Sequence, residues 1–145
     1  MIDINTLIEK LKIQSHDDLH GETAQNLMLA KPRVNISFPN IAEHAIPSAV
    51  LILLYPYQDD IYFILTERTN EVQHHKGQIS LPGGSWENGE QLHETALRET
   101  EEEIGITANK TKIICELTPL FVKVTGYMIH PFVGHIPKNP NIMYE

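Results

Sequence analysis

An α/β domain with a mixed sheet is the fold this chain predicts, and three observations predict it. The first is the continuous apolar run Ala49-Val50-Leu51-Ile52-Leu53-Leu54-Tyr55, stopped by Pro56. A short unbroken run of this kind is the pattern of a strand covered on both faces. The second is a single strong helical stretch that closes at Ile104-Gly105. The third is a pair of strand-like segments downstream of that helix, Lys112 to Leu117 and Tyr127 to Ile136. Strands on both sides of one helix pack as a sheet with helical cover.

The elements follow in chain order. Ile4, Leu7, Ile8 and Leu11 recur at three- and four-residue intervals, so residues 3 to 13 predict a short amphipathic helix. Residues 14 to 46 read as irregular, with Gly21, Pro32 and Pro39, and then Pro47, as punctuation, and with one or two helical turns over Ala24 to Ala30. Residues 1–46 are expected to form an N-terminal extension packed on a main domain of residues 47–145. Beyond the apolar run, Gln58-Asp59-Asp60 predicts a turn and Ile61 to Thr66 the second arm of a hairpin. Gln78 to Leu81 predicts a short strand ending in a turn at Pro82-Gly83-Gly84. Asn88 is the expected N-cap of the strong helix, with Gln91 three residues on in the manner of a capping box. Gly105 suits the left-handed position that closes it.

Composition narrows the function. The 145 residues make one domain, and 41% hydrophobic with 21% charged residues is ordinary for a globular fold. The formal charge of -8 argues against nucleic acid as a partner, because phosphate binding needs basic surface. The longest strongly apolar run is far short of the ~20 residues that span a bilayer. The N-terminus, Met-Ile-Asp-Ile-Asn, has no basic start followed by an apolar stretch, and so reads as no secretory signal. Cys115, the single cysteine, cannot form an internal disulfide, and within Ile113-Ile114-Cys115 it reads as a structural thiol rather than a nucleophile. These features fit a cytoplasmic protein.

The acidity is local. From Gly84 to Ile106 there are seven acids and one base, so 23 residues carry -6 of the total. The densest part is Arg98-Glu99-Thr100-Glu101-Glu102-Glu103-Ile104-Gly105. Helical geometry stacks Glu99 and Glu103 one turn apart with Glu102 beside them, while Ala96, Leu97, Thr100 and Ile104 share a neighbouring arc that can face a core. Like charges at this spacing oppose the helix by ~0.2–0.5 kcal/mol per pair, and only Arg98 stands near to offset them. A solvated helix face usually interleaves the two signs, whereas hard oxygen ligands on a rigid element are what Mg²⁺ or Mn²⁺ requires. Just upstream, Gly83-Gly84 lets the backbone pass close to a ligand. Carboxylates beside such glycines point to metal-assisted chemistry on a phosphate.

The spacing is specific enough to name. Five residues separate Gly84 from Glu90, seven more lead to Arg98-Glu99, and Thr100-x-Glu102-Glu103-x-Gly105-Ile106 follows. This resembles the Nudix box of Nudix hydrolases, the one departure being Thr100 where the family prefers an aliphatic residue. Ile64-Leu65-Thr66-x-Arg68-Thr69, Gly77 and Leu81-Pro82-Gly83-Gly84 resemble the signature of the coenzyme A diphosphatase subgroup. Gln73 stands where that signature has a second arginine, and Leu81 where it has phenylalanine. Pro131-Phe132-Val133-Gly134 extends the similarity towards the C-terminus.

The resemblance implies the Nudix α/β/α sandwich and hydrolysis of a nucleoside diphosphate linked to another moiety. It implies that Glu99, Glu102 and Glu103 hold Mg²⁺ or Mn²⁺, that Glu90 pairs with Arg98, and that the Gly84 backbone shapes the metal site. Gly83 and Gly84 then belong to the substrate-binding surface, Gly105 is structural, and Glu102 or Glu103 is the base, although some relatives place that base on a loop outside the box. For the subgroup the implied reaction splits CoA or acyl-CoA into 3′,5′-ADP and (acyl-)4′-phosphopantetheine. Two alternatives are a Nudix hydrolase acting on ADP-ribose or NADH, and a catalytically silent module that binds a nucleotide. Relatives continue past Glu145 with a further strand and a closing helix, so the expected domain stops one closing element early, which leaves room for a homodimer.

Other residues carry two readings each. Arg68 either binds a substrate phosphate or pairs with Glu67, Glu71 or the acidic helix. His74-His75-Lys76 either recruits an anionic substrate or is an exposed polar loop. Trp86 and Tyr127 either stack on adenine or pack, packing being the default for an aromatic side chain.

Overall fold

The computed structural model describes residues 3–15, 19, 21–28, 45–67 and 77–140. Arg68, Gln73 and the His74-His75-Lys76 segment lie outside the described residues, as does the chain end beyond Pro140. At the centre of the molecule is a parallel pair of long strands, β1 (Ile46–Tyr57) and β8 (Tyr127–His135). Each has its outer edge completed by two shorter antiparallel strands placed end to end. On β1 these are β2 (Asp60–Phe63) and β5 (Gly83–Ser85); on β8 they are β6 (Lys112–Glu116) and β7 (Leu120–Val122). The result is a mixed six-stranded sheet. Two residues each from β3 (Thr66–Glu67) and β4 (Ile79–Ser80) form a separate antiparallel pair.

The apolar run builds the middle of this sheet. Ala49, Leu51 and Leu53 are fully buried on one face of β1, where they join Phe132, Ala96, Ile64, Ile106 and Ile136 in the core. On the opposite face Ser48 and Leu54 are buried while Val50 and Ile52 are half-buried, so both faces of β1 are covered, unequally. Helix α3 (Leu92–Ile104) packs on β1 and β5, and α1 (Ile4–Ser15) packs against β6. Between α1 and β1 lies α2 (Gly21–Met28), whose Gln25 amide donates to the Thr118 carbonyl at 3.0 Å. Among the described residues no helix is long and apolar enough to cross a membrane.

Several expectations are corrected. The stretch Ile61 to Thr66 is not one strand: β2 ends at Phe63, and Thr66–Glu67 belongs to the second sheet. Gln58 and Asp59 alone make the hairpin turn, with Gln58 at a left-handed φ of 54° and Asp60 already paired to Tyr57. Gly83-Gly84 is not a turn but part of a strand, in register with Val50 and Ala49. Helix α3 starts later than expected, because Asn88 sits in a turn and Gln91 is the N-cap. There the Glu94 carboxylate accepts the Gln91 N–H at 2.6 Å, so the reciprocal cap is displaced by three residues. The second helix, Gly21–Met28, starts three residues before the one or two turns expected over Ala24 to Ala30, and β7 has no counterpart among the expected strands. Gly105 ends α3 at φ 70°, its N–H donating to the Glu101 carbonyl at 2.9 Å.

Candidate active site

The site is assembled where β5 passes under α3. Pairing of β5 with β1 brings Gly83 so close that a Cβ there would overlap the Ala49 carbonyl oxygen, an obstacle that cannot swing away. Gly84 is the next residue along, and a Cβ on it would overlap the carboxyl group of Glu99. The absent side chain of Gly84 is therefore the space in which the Glu99 carboxylate rests, 18% exposed.

Arg98 ties the loop to the helix. Its Nε and Nη2 donate to the two carboxylate oxygens of Glu90 at 3.2 and 3.1 Å, a bidentate fork of the stronger, charge-assisted kind. Nη2 also donates to the Ser85 carbonyl at 3.1 Å, while Nη1 donates to Glu99 at 2.9 Å and Glu102 at 3.3 Å. Glu90 in turn accepts the Thr95 hydroxyl and the Glu87 N–H, each at 2.8 Å. The hydrogen bonds from Arg98 hold the Glu90 carboxyl at a pKa of about 2, outweighing its partial burial. The same pairing with Glu90 raises the guanidinium of Arg98 further above its already high ordinary value, with Glu99 and Glu102 adding to it.

Two more contacts fix the loop. The Trp86 indole donates to the Glu90 carbonyl at 2.7 Å, and its backbone N–H donates to Pro47 at 3.0 Å. Trp86 thus clamps the loop, while its ring remains partly exposed. Tyr127 meets the Ser85 hydroxyl at 3.4 Å. On the buried side of α3, Thr100 is fully enclosed and its hydroxyl donates to the Ala96 carbonyl at 2.6 Å. A threonine at an aliphatic position is accommodated because its one polar atom is satisfied within its own helix.

Of the residues expected to hold metal, Glu99 and Glu102 both bond to Arg98, and Glu102 and Glu103 are both exposed near the end of the helix. Among the described residues, no three His, Cys, Asp or Glu side chains are arranged to hold a metal ion. The donor types fit a hard divalent cation nonetheless: carboxylate oxygens on a rigid helix, one of them seated against a side-chain-free backbone. An open concavity of about 600 Å³ borders Arg98 and Glu102 but not Gly84, Glu99 or Glu103, so it lies beside the cradle and does not contain it. Cys115 is half-buried, and burial pushes its thiol up, as suits a structural thiol. Ser85 and Thr95 are members of the Glu90–Arg98 node that sequence reading missed; a carbonyl carries no side-chain signal, and Thr95 lies outside the charged stripe.

The NUDIX domain family matches residues 45–136. The chain belongs to the Nudix hydrolase family. Among its relatives is the uncharacterized Nudix hydrolase NudL of Yersinia enterocolitica, 39% identical over 120 residues, which are 82% of this chain and 58% of that protein. Nudix hydrolase 3 of Caenorhabditis elegans is 36% identical over 88 residues, covering 61% of this chain and 37% of the relative. This Nudix chain thus spans between about a third and three fifths of the length of these curated relatives. Among solved structures, the Ap4A hydrolase of C. elegans is similar with a TM-score of 0.57 at 21% identity, covering 70% of this chain and 75% of that one. The MutT protein of Methanosarcina mazei has a TM-score of 0.53 at 22% identity, covering 70% of each chain. These likenesses show that the mixed sheet and its helices are the Nudix α/β sandwich.

Proposed function

We propose that this chain is a Mg²⁺- or Mn²⁺-dependent hydrolase of nucleoside diphosphate derivatives, acting on CoA or acyl-CoA to give 3′,5′-ADP and (acyl-)4′-phosphopantetheine. The observation that carries the reaction class is the seating of Glu99 over Gly84, braced by the Arg98–Glu90 fork within a Nudix domain. The substrate choice rests on the resemblance of Ile64-Leu65-Thr66-x-Arg68-Thr69, Gly77 and Leu81-Pro82-Gly83-Gly84, whose last two residues are the β5 glycines of the cradle.

Glu99, Glu102 and Glu103 are the residues that would hold the cation. When bound, it supplies charge to screen the pyrophosphate oxygens and to lower the proton affinity of water. The rest is done by the chain. Gly83 and Gly84 let the backbone approach the substrate phosphates. Glu102 or Glu103 takes one proton from water as its oxygen bonds to phosphorus. The anhydride P–O bond breaks and its electron pair leaves on the departing phosphomonoester. Arg98 holds Glu99 and Glu102 at the helix edge throughout, and Arg68 is assigned to the substrate's anionic part. Residues 1–46 serve as an extension of the catalytic domain, and a single thiol suits the reducing cytoplasm.

The test is a substrate panel with products separated by chromatography: CoA, acetyl-CoA, ADP-ribose, NADH and diadenosine tetraphosphate, each with Mg²⁺ and with Mn²⁺. Cleavage of CoA to 3′,5′-ADP is the expected result. Cleavage of ADP-ribose or the dinucleotides with CoA untouched would move the chain to another Nudix substrate class. No cleavage of any compound would overturn the enzymatic reading in favour of a silent binding module.

A further inference from the structure

Two threonines of α3, Thr95 and Thr100, are completely enclosed, and their hydroxyls are directed differently. Thr100 bonds back to the Ala96 carbonyl four residues earlier, at 2.6 Å, as a threonine inside a helix commonly does. The corresponding carbonyl for Thr95 is that of Gln91, but it stands 3.5 Å from the hydroxyl. It already accepts the backbone N–H groups of Glu94 at 2.8 Å and of Thr95 at 3.1 Å. The Thr95 hydroxyl donates instead to Oε1 of Glu90 at 2.8 Å. A hydroxyl has one proton to give, and this enclosed one gives it to a carboxylate outside its own helix. With the Glu87 N–H, also at 2.8 Å, it makes the closest contacts of that carboxylate, ahead of the Arg98 fork at 3.1 and 3.2 Å.

We infer that Thr95 is a positioning residue for the metal-binding carboxylates, acting through Glu90 and Arg98 on Glu99 and Glu102, an assignment that rests on the metal-dependent reading given above. The terminal torsion of a glutamate is soft, so a carboxylate held only by a flexible arginine can turn. Thr95 stops that turn from the buried side, where the helix core fixes its own position. Glu90 then presents both oxygens to Nε and Nη2 of Arg98. The guanidinium is planar and rigid, so fixing that edge also fixes Nη1, which donates to Glu99 at 2.9 Å and to Glu102 at 3.3 Å. Without the hydroxyl, Oε1 of Glu90 loses a donor in an enclosed place and the carboxylate turns to recover one. The fork loosens, and the two carboxylates at its far end lose their common anchor.

Mn²⁺ binding to the full chain, measured by calorimetry after removal of metal with EDTA, tests this without turnover. Thr95→Val keeps the shape and removes the hydroxyl, and it is expected to weaken Mn²⁺ by about tenfold, as loss of an outer partner does at metal sites. Thr95→Ser keeps the hydroxyl and should bind Mn²⁺ as wild type does. In a Glu90→Gln background, where the fork is already broken, Thr95→Val should cost no more than about a further twofold. A role in packing alone would instead lower Tm most in Thr95→Ser, which loses a methyl group, and leave every affinity unchanged. Thr95→Ala supplies a second hydroxyl-free variant should Thr95→Val not fold. The inference is overturned by a hydroxyl-free variant that binds Mn²⁺ as wild type does, by Thr95→Ser as weak as Thr95→Val, or by the full tenfold loss persisting beside Glu90→Gln. Wild type that binds no Mn²⁺ strikes the metal reading itself, so the two failures are told apart.

Discussion

Gly84 is glycine because the Glu99 carboxylate occupies the place of its side chain. Gly84→Ala should therefore expel Glu99 while leaving β5 paired, and activity should fall by at least ~10²-fold with little change in Tm, as loss of one positioned charged group does elsewhere. Kinetics beside a thermal melt check it. Glu90 makes a prediction about pH. Its pKa is lowered from 4.5 to about 2 by Arg98, so its contribution to stability is complete above pH ~4.5 and is lost as pH falls towards 2. The Tm advantage of wild type over Glu90→Gln should hold at pH 6 and shrink steadily below 4.5. An advantage independent of pH would mean that Glu90 acts by packing and not by charge. Both residues were visible in the sequence as members of a spaced motif. What was not visible is the reason for the glycine, because a contact between residues 15 positions apart appears only once β5 lies under α3.

At the scale of elements, α3 shows how a helix carries an acidic stripe. Arg98 stands one residue before Glu99 and four before Glu102, and its five N–H donors reach three carboxylates and one carbonyl. On the opposite face the Thr100 hydroxyl bonds back to Ala96, so Thr100→Val should shift stability by no more than about 1 kcal/mol in either direction. A chemical denaturation midpoint measures this, and a loss well above that figure would show that the hydroxyl supports more than its own turn. Sequence periodicity found α3, β1, β6 and β8 because each is long or strongly apolar. It misplaced the start of α3, since Asn88 and Gln91 both offer a polar cap followed three residues on by a partner, and only the turn at Asn88-Gly89 decides between them. It missed β7 and misread β5 because strands of three residues have too few side chains to show alternation. Such strands exist because a longer neighbour offers them an edge.

The whole molecule is organised by one parallel pair. β1 and β8 could be read separately as strands, but their adjacency joins residues some eighty positions apart and has no local signature. The same pairing concentrates burial in β1, so Leu51→Ala, at a fully enclosed position, should destabilise the domain by about 2–5 kcal/mol without touching the site. Charge is organised at this scale too: the Nudix box carries -6 of the -8, and the remainder of the chain is nearly neutral. That imbalance is what a divalent cation at the acidic helix would offset. The direct test is CoA turnover in Mg²⁺ by wild type and by Glu103→Gln, with circular dichroism to confirm equal folding. Wild type should release 3′,5′-ADP, EDTA should abolish that release, and the variant should be slower by at least ~10²-fold. Turnover by Glu103→Gln equal to wild type would contradict the role given to Glu103.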